Sequence, residues 1–292
     1  MFTLDQARAF VVVAEELHFG RAAERLHMTQ PPLSRQIQKL EKVLEVQLLL
    51  RQPRGVELTA AGEAFLAECR QLLAKVEEAP RRARLIASGR VGLVRLGYTA
   101  ASAYSVLGEL LARLKESAPG VTIELHEMVS AQQLEALRNG SIDVGLARPP
   151  FHLEGVDSAL LRTEALVVAV PAGHHLARRG TPITAEEIQR EPLIMHSYEQ
   201  ARYFRDLVIG LVDVHQEMVS HTASQVLTMV ALAAAGHGLA LVPESAGRLA
   251  MPGVVMLPLE DSPEDLVQLH AMWLSGSTNP ALQSLLPVIR GE

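Results

Sequence analysis

Leu33, Ile37, Leu40 and Leu44 recur at the spacing of one helical face, and Pro31 stands where that helix would begin, a position at which its missing N–H costs little. Just upstream, Ala22, Ala23 and Leu26 form the apolar stripe of a shorter helix. A first helix is signalled by Leu4, Ala7, Phe10, Val11 and Ala14, with Thr3 and Gln6 spaced as a capping box. The run up to Leu58 predicts a two-stranded wing, which closes a winged helix-turn-helix over residues 1–58. Thr59 can then cap a long helix from Ala60 to about Ala87. Within it Phe65, Cys69, Leu72, Val76, Ala79, Ala83 and Ile86 alternate steps of four and three, the a/d seam of a helix pair. Pro80 interrupts that pattern, so a bend or break is expected near Ala79, with the GRVG run at 89–92 as a hinge. Residues 59–90 are therefore read as a linker and dimerisation segment.

From Val91 onward the pattern changes to alternating strands and helices. VGLVRLGY reads as a strand and Ser102–Lys115 as a helix; VTIELHEM is a second strand, Ala131–Asn139 a second helix stopped by Gly140, and IDVGLA a third strand. After LRTEALVVAVP a second set follows: LIMHS, a helix near 201–212, EMVSHT, a helix over 224–234, and LALVP. The chain finishes on DLVQLHAMWL and a helix from about Pro280. Such alternation predicts a parallel α/β sheet.

Bulk properties alter this picture in two places. Net charge is −6, yet residues 1–90 carry 14 Lys+Arg against 11 Asp+Glu, and residues 91–292 carry 13 against 22. A weakly basic head on an acidic body suits binding of nucleic acid through a small patch rather than nonspecific coating. The single cysteine, Cys69, excludes an intrachain disulfide framework, and its seam position reads as a buried apolar thiol rather than a redox sensor. The N-terminal MFTLDQARAF lacks the basic and apolar runs of a secretion signal, and no apolar segment is long enough to span a bilayer. A cytoplasmic protein is expected.

The helix over 31–44 carries its chemistry opposite the apolar face. Pro31, Ser34, Arg35, Gln38 and Lys42 present donors, a guanidinium and an ammonium with almost no acid, as a helix lying in a DNA major groove requires. AAERLHMTQPPLSRQIQKLE, then RQPRGVELTAAG, resembles the N-terminal domain of LysR-type transcriptional regulators, and the resemblance extends along the whole chain in length and order of elements. It implies that Gln30, Pro31, Ser34 and Arg35 meet base edges or nearby phosphates and that Arg54 in the wing meets the DNA backbone. Leu49 and Leu50 depart from the family pattern, which usually has an aromatic residue and an acid before the wing arginine.

The resemblance further implies an α/β chain overall: a winged helix-turn-helix, a long linker helix and, over 91–292, an effector domain of two subdomains of the periplasmic-binding-protein type. The first would contain about 91–163 plus 268–292, the second about 164–267, joined by two crossover strands with a cleft between. Ligands of open α/β sheets bind at strand C-termini and helix N-termini. Thr99 to Ser102, Ser130 and Arg148 follow the first three strands, and hydroxyls with one guanidinium there would form an anion site, most simply for a carboxylate. By resemblance to the branch that senses aromatic breakdown products, Ser130 and Arg148 occupy effector-contacting positions, and Ala101 a third where those relatives carry a hydroxyl. His196, Ser197 and Phe204 are candidates to close over the ligand from the second subdomain.

Catalysis finds little footing. There is no HExxH, no Cys/His cluster, no G-x-S-x-G elbow and no phosphate-binding glycine motif, so neither metal nor cofactor is expected. His174 and His175, after VPAG, read as a solvated turn, and GHG at 236–238 as a turn between helix and strand. The expectation is a transcription regulator, not an enzyme, that reads a pseudo-palindromic duplex and reports a small organic anion. The resemblance implies a homodimer assembling to a homotetramer, with RNA polymerase downstream. A regulator with no small-molecule effector stands as the alternative, with an enzyme on a binding-protein-like fold and a purely architectural DNA binder more remote.

Overall fold

The structure is a computed structural model that describes residues 1–52, 55–151, 154–260 and 262–292. Arg54, the expected wing contact, lies outside the described residues. The chain divides into two compact units, Met1–Arg84 and Leu85–Glu292.

In the first unit, α1 (Leu4–Glu16) opens on the Thr3–Gln6 capping box and is followed by α2 (Phe19–Arg25) and α3 (Gln30–Leu44). Ala7, Phe10, Val13, Ala22, Leu33, Ile37 and Leu40 form the core where the three helices meet. Leu4 is exposed, contrary to the reading above; Ala9, Val12 and Val13 are buried instead, because α1 is enclosed on more than one side. The wing consists of antiparallel β1 (Leu49–Gln52) and β2 (Gly55–Leu58), and Leu49 turns into the core while Leu50 stays exposed. Glu41 of α3 anchors the approach to the wing, its Oε1 accepting the Leu48 and Leu49 N–H groups at 2.9 and 3.1 Å.

Helix α4 (Ala60–Ala87) begins on Thr59, whose Oγ1 accepts from the Gly62 N–H. A Cβ on Gly62 would stand 2.2 Å from the Leu48 carbonyl oxygen, so only glycine permits the helix to start this close to the wing. The helix runs unbroken through Pro80; the expected break does not occur, since one missing donor removes one helical bond and leaves the remaining ladder intact. The a/d seam divides. Phe65 and Cys69 belong to this unit's own core, the Phe65 ring lying 5.5 Å from Phe2 and 5.3 Å from Phe10. Burial pushes the Cys69 thiol up to about 11. Farther along, Leu72, Ala79, Ala83 and Ile86 are exposed on the single chain and Val76 is half-buried.

The second unit holds two five-stranded sheets. The first has order β4 (Val121–Glu127), β3 (Gly92–Tyr98), β5 (Val144–Ala147), β12 (Val267–Leu274), β6 (Val156–Glu164). The second has order β11 (Val254–Pro258), β7 (Leu166–Pro171), β10 (Leu239–Pro243), β8 (Leu193–His196), β9 (Val219–Ala223). Both are mixed rather than parallel. β3 is parallel to β4 and β5, and β8 to β9 and β10, but β12, β6, β7 and β11 pair antiparallel. The antiparallel members are the strands beside the two passages between sheets: β6 runs on into β7 through Ala165, and the chain returns between β11 and β12.

On the first sheet lie α5 (Ala100–Ser102), a π-helical turn at Ala103–Leu107, α6 (Gly108–Ser117), α7 (Ser130–Arg138) and α12 (Pro280–Arg290). One face packs Val94, Leu96, Leu110, Leu114, Leu282 and Trp273; the other packs Leu137, Ile142 and Met272 beneath α7. The second sheet carries α8 (His175–Arg179), α9 (Ala185–Ile188), α10 (Arg202–Leu211) and α11 (Val226–Ala234). The sequence pattern did not show α8, α9 or β11, which are too short for a periodic signal. Among the described residues, no helix is long and apolar enough to cross a membrane.

Candidate functional site

The first unit exposes a polar helix face. Gln30, Pro31, Arg35, Gln38 and Lys42 of α3 are exposed and Ser34 is half-buried, while Leu33, Ile37 and Leu40 are fully covered. Two acids of this unit are drawn into ion pairs away from this face. Glu15 and Glu16, at the end of α1, pair with Arg21 and Arg25 of α2 and with Arg70 of α4, at 3.0–3.3 Å for the side-chain contacts. Among the described residues, no acid pairs with Arg35, Lys39 or Lys42. The positive charge of α3 is therefore left to face solvent. Arg51 of the wing lies over the Phe19 ring, 5.0 Å from its centroid, a contact with no local sequence signal.

In the second unit the loops at the C-terminal ends of β4 and β5 are tied together from below. Gly97 and Gly145 face each other in register on β3 and β5, and the buried Gln133 of α7 lies across them. A Cβ on Gly145 would stand 2.7 Å from the Gln133 Oε1. Gln133 Nε2 donates to the Met128 and Leu146 carbonyls at 3.0 and 3.1 Å, which sets the two loops that carry Ser130 and Arg148. Ser130 Oγ then accepts the Arg148 N–H at 3.3 Å.

Arg148 is 6% exposed, and its guanidinium lies over Phe204 of α10 at 4.7 Å from the ring centroid. Nη1 donates to the Gln268 carbonyl at 3.0 Å and Nη2 to Glu164 Oε1 at 3.4 Å. The other Glu164 oxygen accepts the Ser245 N–H at 2.8 Å. Burial pulls the Arg148 pKa down and the neighbouring Glu164 charge opposes it. The buried His196 stacks on the opposite part of this arrangement, its ring 5.0 Å from Phe204. Its Nε2 faces the Leu241 carbonyl at 2.9 Å, and a carbonyl only accepts, so the proton sits on Nε2 and Nδ1 is a bare acceptor. Burial lowers His196 to about 4, helped by Arg148 and Arg205, so the ring is neutral at pH 7.

The structure thus brings Ser130, Arg148, His196 and Phe204 together, from both sheets. Thr99 and Ser102 are occupied differently: they form a reciprocal cap, with Ser102 N–H on Thr99 Oγ1 and Thr99 N–H on Ser102 Oγ. Ser102 is wholly buried and its hydroxyl also donates to the Thr99 carbonyl, so it is committed to the turn and not offered to a ligand. Ala101 is half-buried in the same turn, and Ser197 half-buried after β8. Among the polar atoms buried without a partner in this region are Tyr104 Oη, Gln133 Oε1, His196 Nδ1 and Ser245 Oγ. Burial pushes the Tyr104 phenol up, and both Arg148 and Glu164 act on it. Tyr104 sits in the π-helical turn, where the irregular backbone frees carbonyls: Ser105 O accepts from Arg162 and Arg248, each at 3.0 Å. Glu164, Gln133, Tyr104, Ser245 and Gln268 escaped the sequence reading. Glu164 alone had a signal, as an acid interrupting two apolar strands, where a buried carboxylate must find a cation.

A helix-turn-helix unit with an uncompensated cationic face, joined in one chain to a two-sheet α/β unit with a buried polar centre, defines a DNA-binding regulator with a ligand-binding body. Residues 4–63 match the bacterial regulatory helix-turn-helix protein, lysR family, and residues 87–292 match the LysR substrate binding domain. The regulator IlvR of Caulobacter vibrioides is 38% identical over 97% of this chain and 96% of its own length. The probable cat1 operon transcriptional activator of Acinetobacter lwoffii is 36% identical over 84% and 82%. The crystal structure of full-length CbnR with its target DNA superposes with a TM-score of 0.84 at 28% identity, covering 99% of each chain. The chain belongs to the LysR family of DNA-binding transcriptional regulators, with an effector-binding domain.

Arg35→Ala should lower affinity for the specific operator by about 1–3 kcal/mol if the guanidinium reads a base edge. Arg70→Ala, which removes a residue already paired with Glu15, should leave sequence discrimination unchanged. Gel shifts on operator and scrambled duplex at fixed salt compare the two; equal loss on both duplexes in Arg35→Ala would assign that side chain to phosphate instead.

Proposed function

We propose that this regulator senses a small organic anion, a carboxylate the size of an aromatic acid or muconate, at Arg148. The observation that carries the reading is a guanidinium held between the two sheets on an aromatic face, beside a phenol and an imidazole nitrogen with unused hydrogen-bonding capacity. In the described conformation Glu164 fills the anion position. An incoming carboxylate would take over the Nη2 arm and release Glu164, and because Arg148 is buried, entry requires Phe204 to move off the guanidinium. A cavity of about 680 Å³ that Glu164 also lines does not suit the same ligand, because Glu244, Glu264 and Asp265 line it too.

A second reading draws on the completeness of the Arg148–Glu164 pair: it would be purely structural, in a regulator that needs no small molecule. The two readings differ for Glu164→Gln, which keeps an acceptor but removes the competing charge. Calorimetry with a panel of aromatic carboxylates and muconate should show binding to the wild type, about tenfold tighter binding to Glu164→Gln (~1.4 kcal/mol), and none to Arg148→Lys, which cannot offer the planar fork. Titrations silent for all three proteins would favour the structural reading, and a neutral or cationic effector would overturn the anion reading.

We further infer that the exposed half of the α4 seam pairs with a second copy, giving a homodimer that reads a pseudo-palindromic operator and assembles to a homotetramer. Exposed Leu72 and Ile86 on one long helix support it, as does the need of a palindrome for two heads. Leu72→Glu would bury a charge between helices and should yield monomers by light scattering. Unchanged mass would refute the seam.

A further inference from the structure

The adjacent His174 and His175 meet Glu191, distant from them in sequence, in the unit that holds the second sheet. His174 caps α8 directly after β7, its N–H bonded to the Pro171 carbonyl, and Glu191 stands just before β8, its N–H bonded to the Ile188 carbonyl. β7 and β8 are separated in the sheet by β10, so the three side chains converge from two backbone segments that the sheet holds in place. One imidazole faces each carboxylate oxygen: His174 Nε2 is 3.3 Å from Oε2, and His175 Nε2 is 3.7 Å from Oε1. The two imidazole rings lie side by side, centroids 4.4 Å apart. His174 and Glu191 are mostly shielded, with side chains 22% and 19% exposed, whereas His175 is 69% exposed. The solvated turn expected from the sequence is therefore a first helical residue and its cap, with a third group brought in from elsewhere.

His174 Nε2 is within hydrogen-bond reach of the carboxylate, whereas the His175 contact is longer than a hydrogen bond. Ligand atoms around a tetrahedral zinc ion, at bonds of about 2.0–2.1 Å, stand about 3.3 Å from one another. Here one ligand atom from each of the three side chains lies within 4.8 Å of the others, so a small closure brings two imidazole nitrogens and one carboxylate oxygen to the donor set of a three-ligand zinc site, with the fourth position on the open side beside His175.

We propose that His174, His175 and Glu191 bind a divalent cation of the zinc class, which clips the segment 172–192 between β7 and β8. Imidazole and carboxylate donors suit zinc, nickel and copper rather than calcium or magnesium. One rearrangement accompanies binding. His174 Nδ1 accepts the Leu176 N–H, so its proton is on Nε2; a cation on Nε2 moves that proton to Nδ1 and gives up the cap bond. That bond is long, 3.4 Å, and caps a helix of five residues, so little is lost. The site is independent of the anion proposal, since it shares no residue with the Arg148 centre.

The test is zinc chloride titrated into chelator-treated full-length protein by calorimetry, with cobalt(II) absorption and thermal unfolding as second readouts. Wild type should take up one equivalent per chain with a micromolar or lower Kd, show visible cobalt bands, and melt at higher temperature with zinc. H175Q and E191Q should each weaken uptake at least tenfold and lose the thermal gain. H221Q should behave as wild type; it changes the His221–His237 pair, whose rings are 4.8 Å apart and which offers only two ligands. No uptake by wild type, or uptake that survives both H175Q and E191Q, would overturn the proposal and leave a loosely hydrogen-bonded cluster.

Discussion

A guanidinium and a carboxylate taken out of water must find each other, and in the larger unit that requirement falls on Arg148 and Glu164, both less than a tenth exposed. Leaving either alone would cost several kcal/mol, far more than the pair gains over an apolar substitute. The surrounding structure is arranged to meet that demand. Gln133 sets the loop that ends in Arg148, Phe204 supplies an aromatic floor, the Gln268 carbonyl takes one Nη1 proton, and the Ser245 N–H takes the second carboxylate oxygen. Arg148, just after β5, and Glu164, at the end of β6, both belong to the first sheet, and each reaches the second: the guanidinium lies over Phe204 and the carboxylate accepts the Ser245 N–H, so the contacts around one ion pair link the two halves of the domain. A ligand that competes for one member of such a pair acts on the junction itself, and this is the physical basis for reading the site as a sensor.

The DNA-binding unit meets the opposite demand, since its charges must stay unpaired to be useful. Glu15 and Glu16, at the end of α1, are neutralised by Arg21, Arg25 and Arg70, and Glu41, the acid on α3, is occupied by the Leu48 and Leu49 N–H groups. Arg35, Gln38 and Lys42 are left free on the outer face while Leu33, Ile37 and Leu40 hold the helix from below.

What could be read from the sequence was what periodicity encodes. The 3.6-residue pattern of α3, the Thr3 capping box and the Thr59 cap are local, and each is found where the pattern put it. Arg148 was visible as the first polar residue after a strand. Glu164 was not, because its pairing with Arg148 is set by β6 lying in the same sheet as β5 with β12 between them. Periodicity also cannot say whose core an apolar residue enters: Phe65 and Cys69 fit a heptad seam yet pack into their own unit. Glu191 joins His174 and His175 only through sheet order, and Ser102, a plausible ligand contact by position, is consumed by a cap that sequence suggests but cannot weigh.

The claim that one buried pair links the two halves is tested most directly by a double-mutant cycle on Arg148→Met and Glu164→Leu, followed by urea unfolding through Trp273, the single tryptophan, buried in the first sheet. Each single change should destabilise by about 3–5 kcal/mol, because it strands the other charge, and the double variant should lose little more than either alone, a coupling of at least ~2 kcal/mol. Additive losses, with the double variant as unstable as the sum of the singles, would contradict the account.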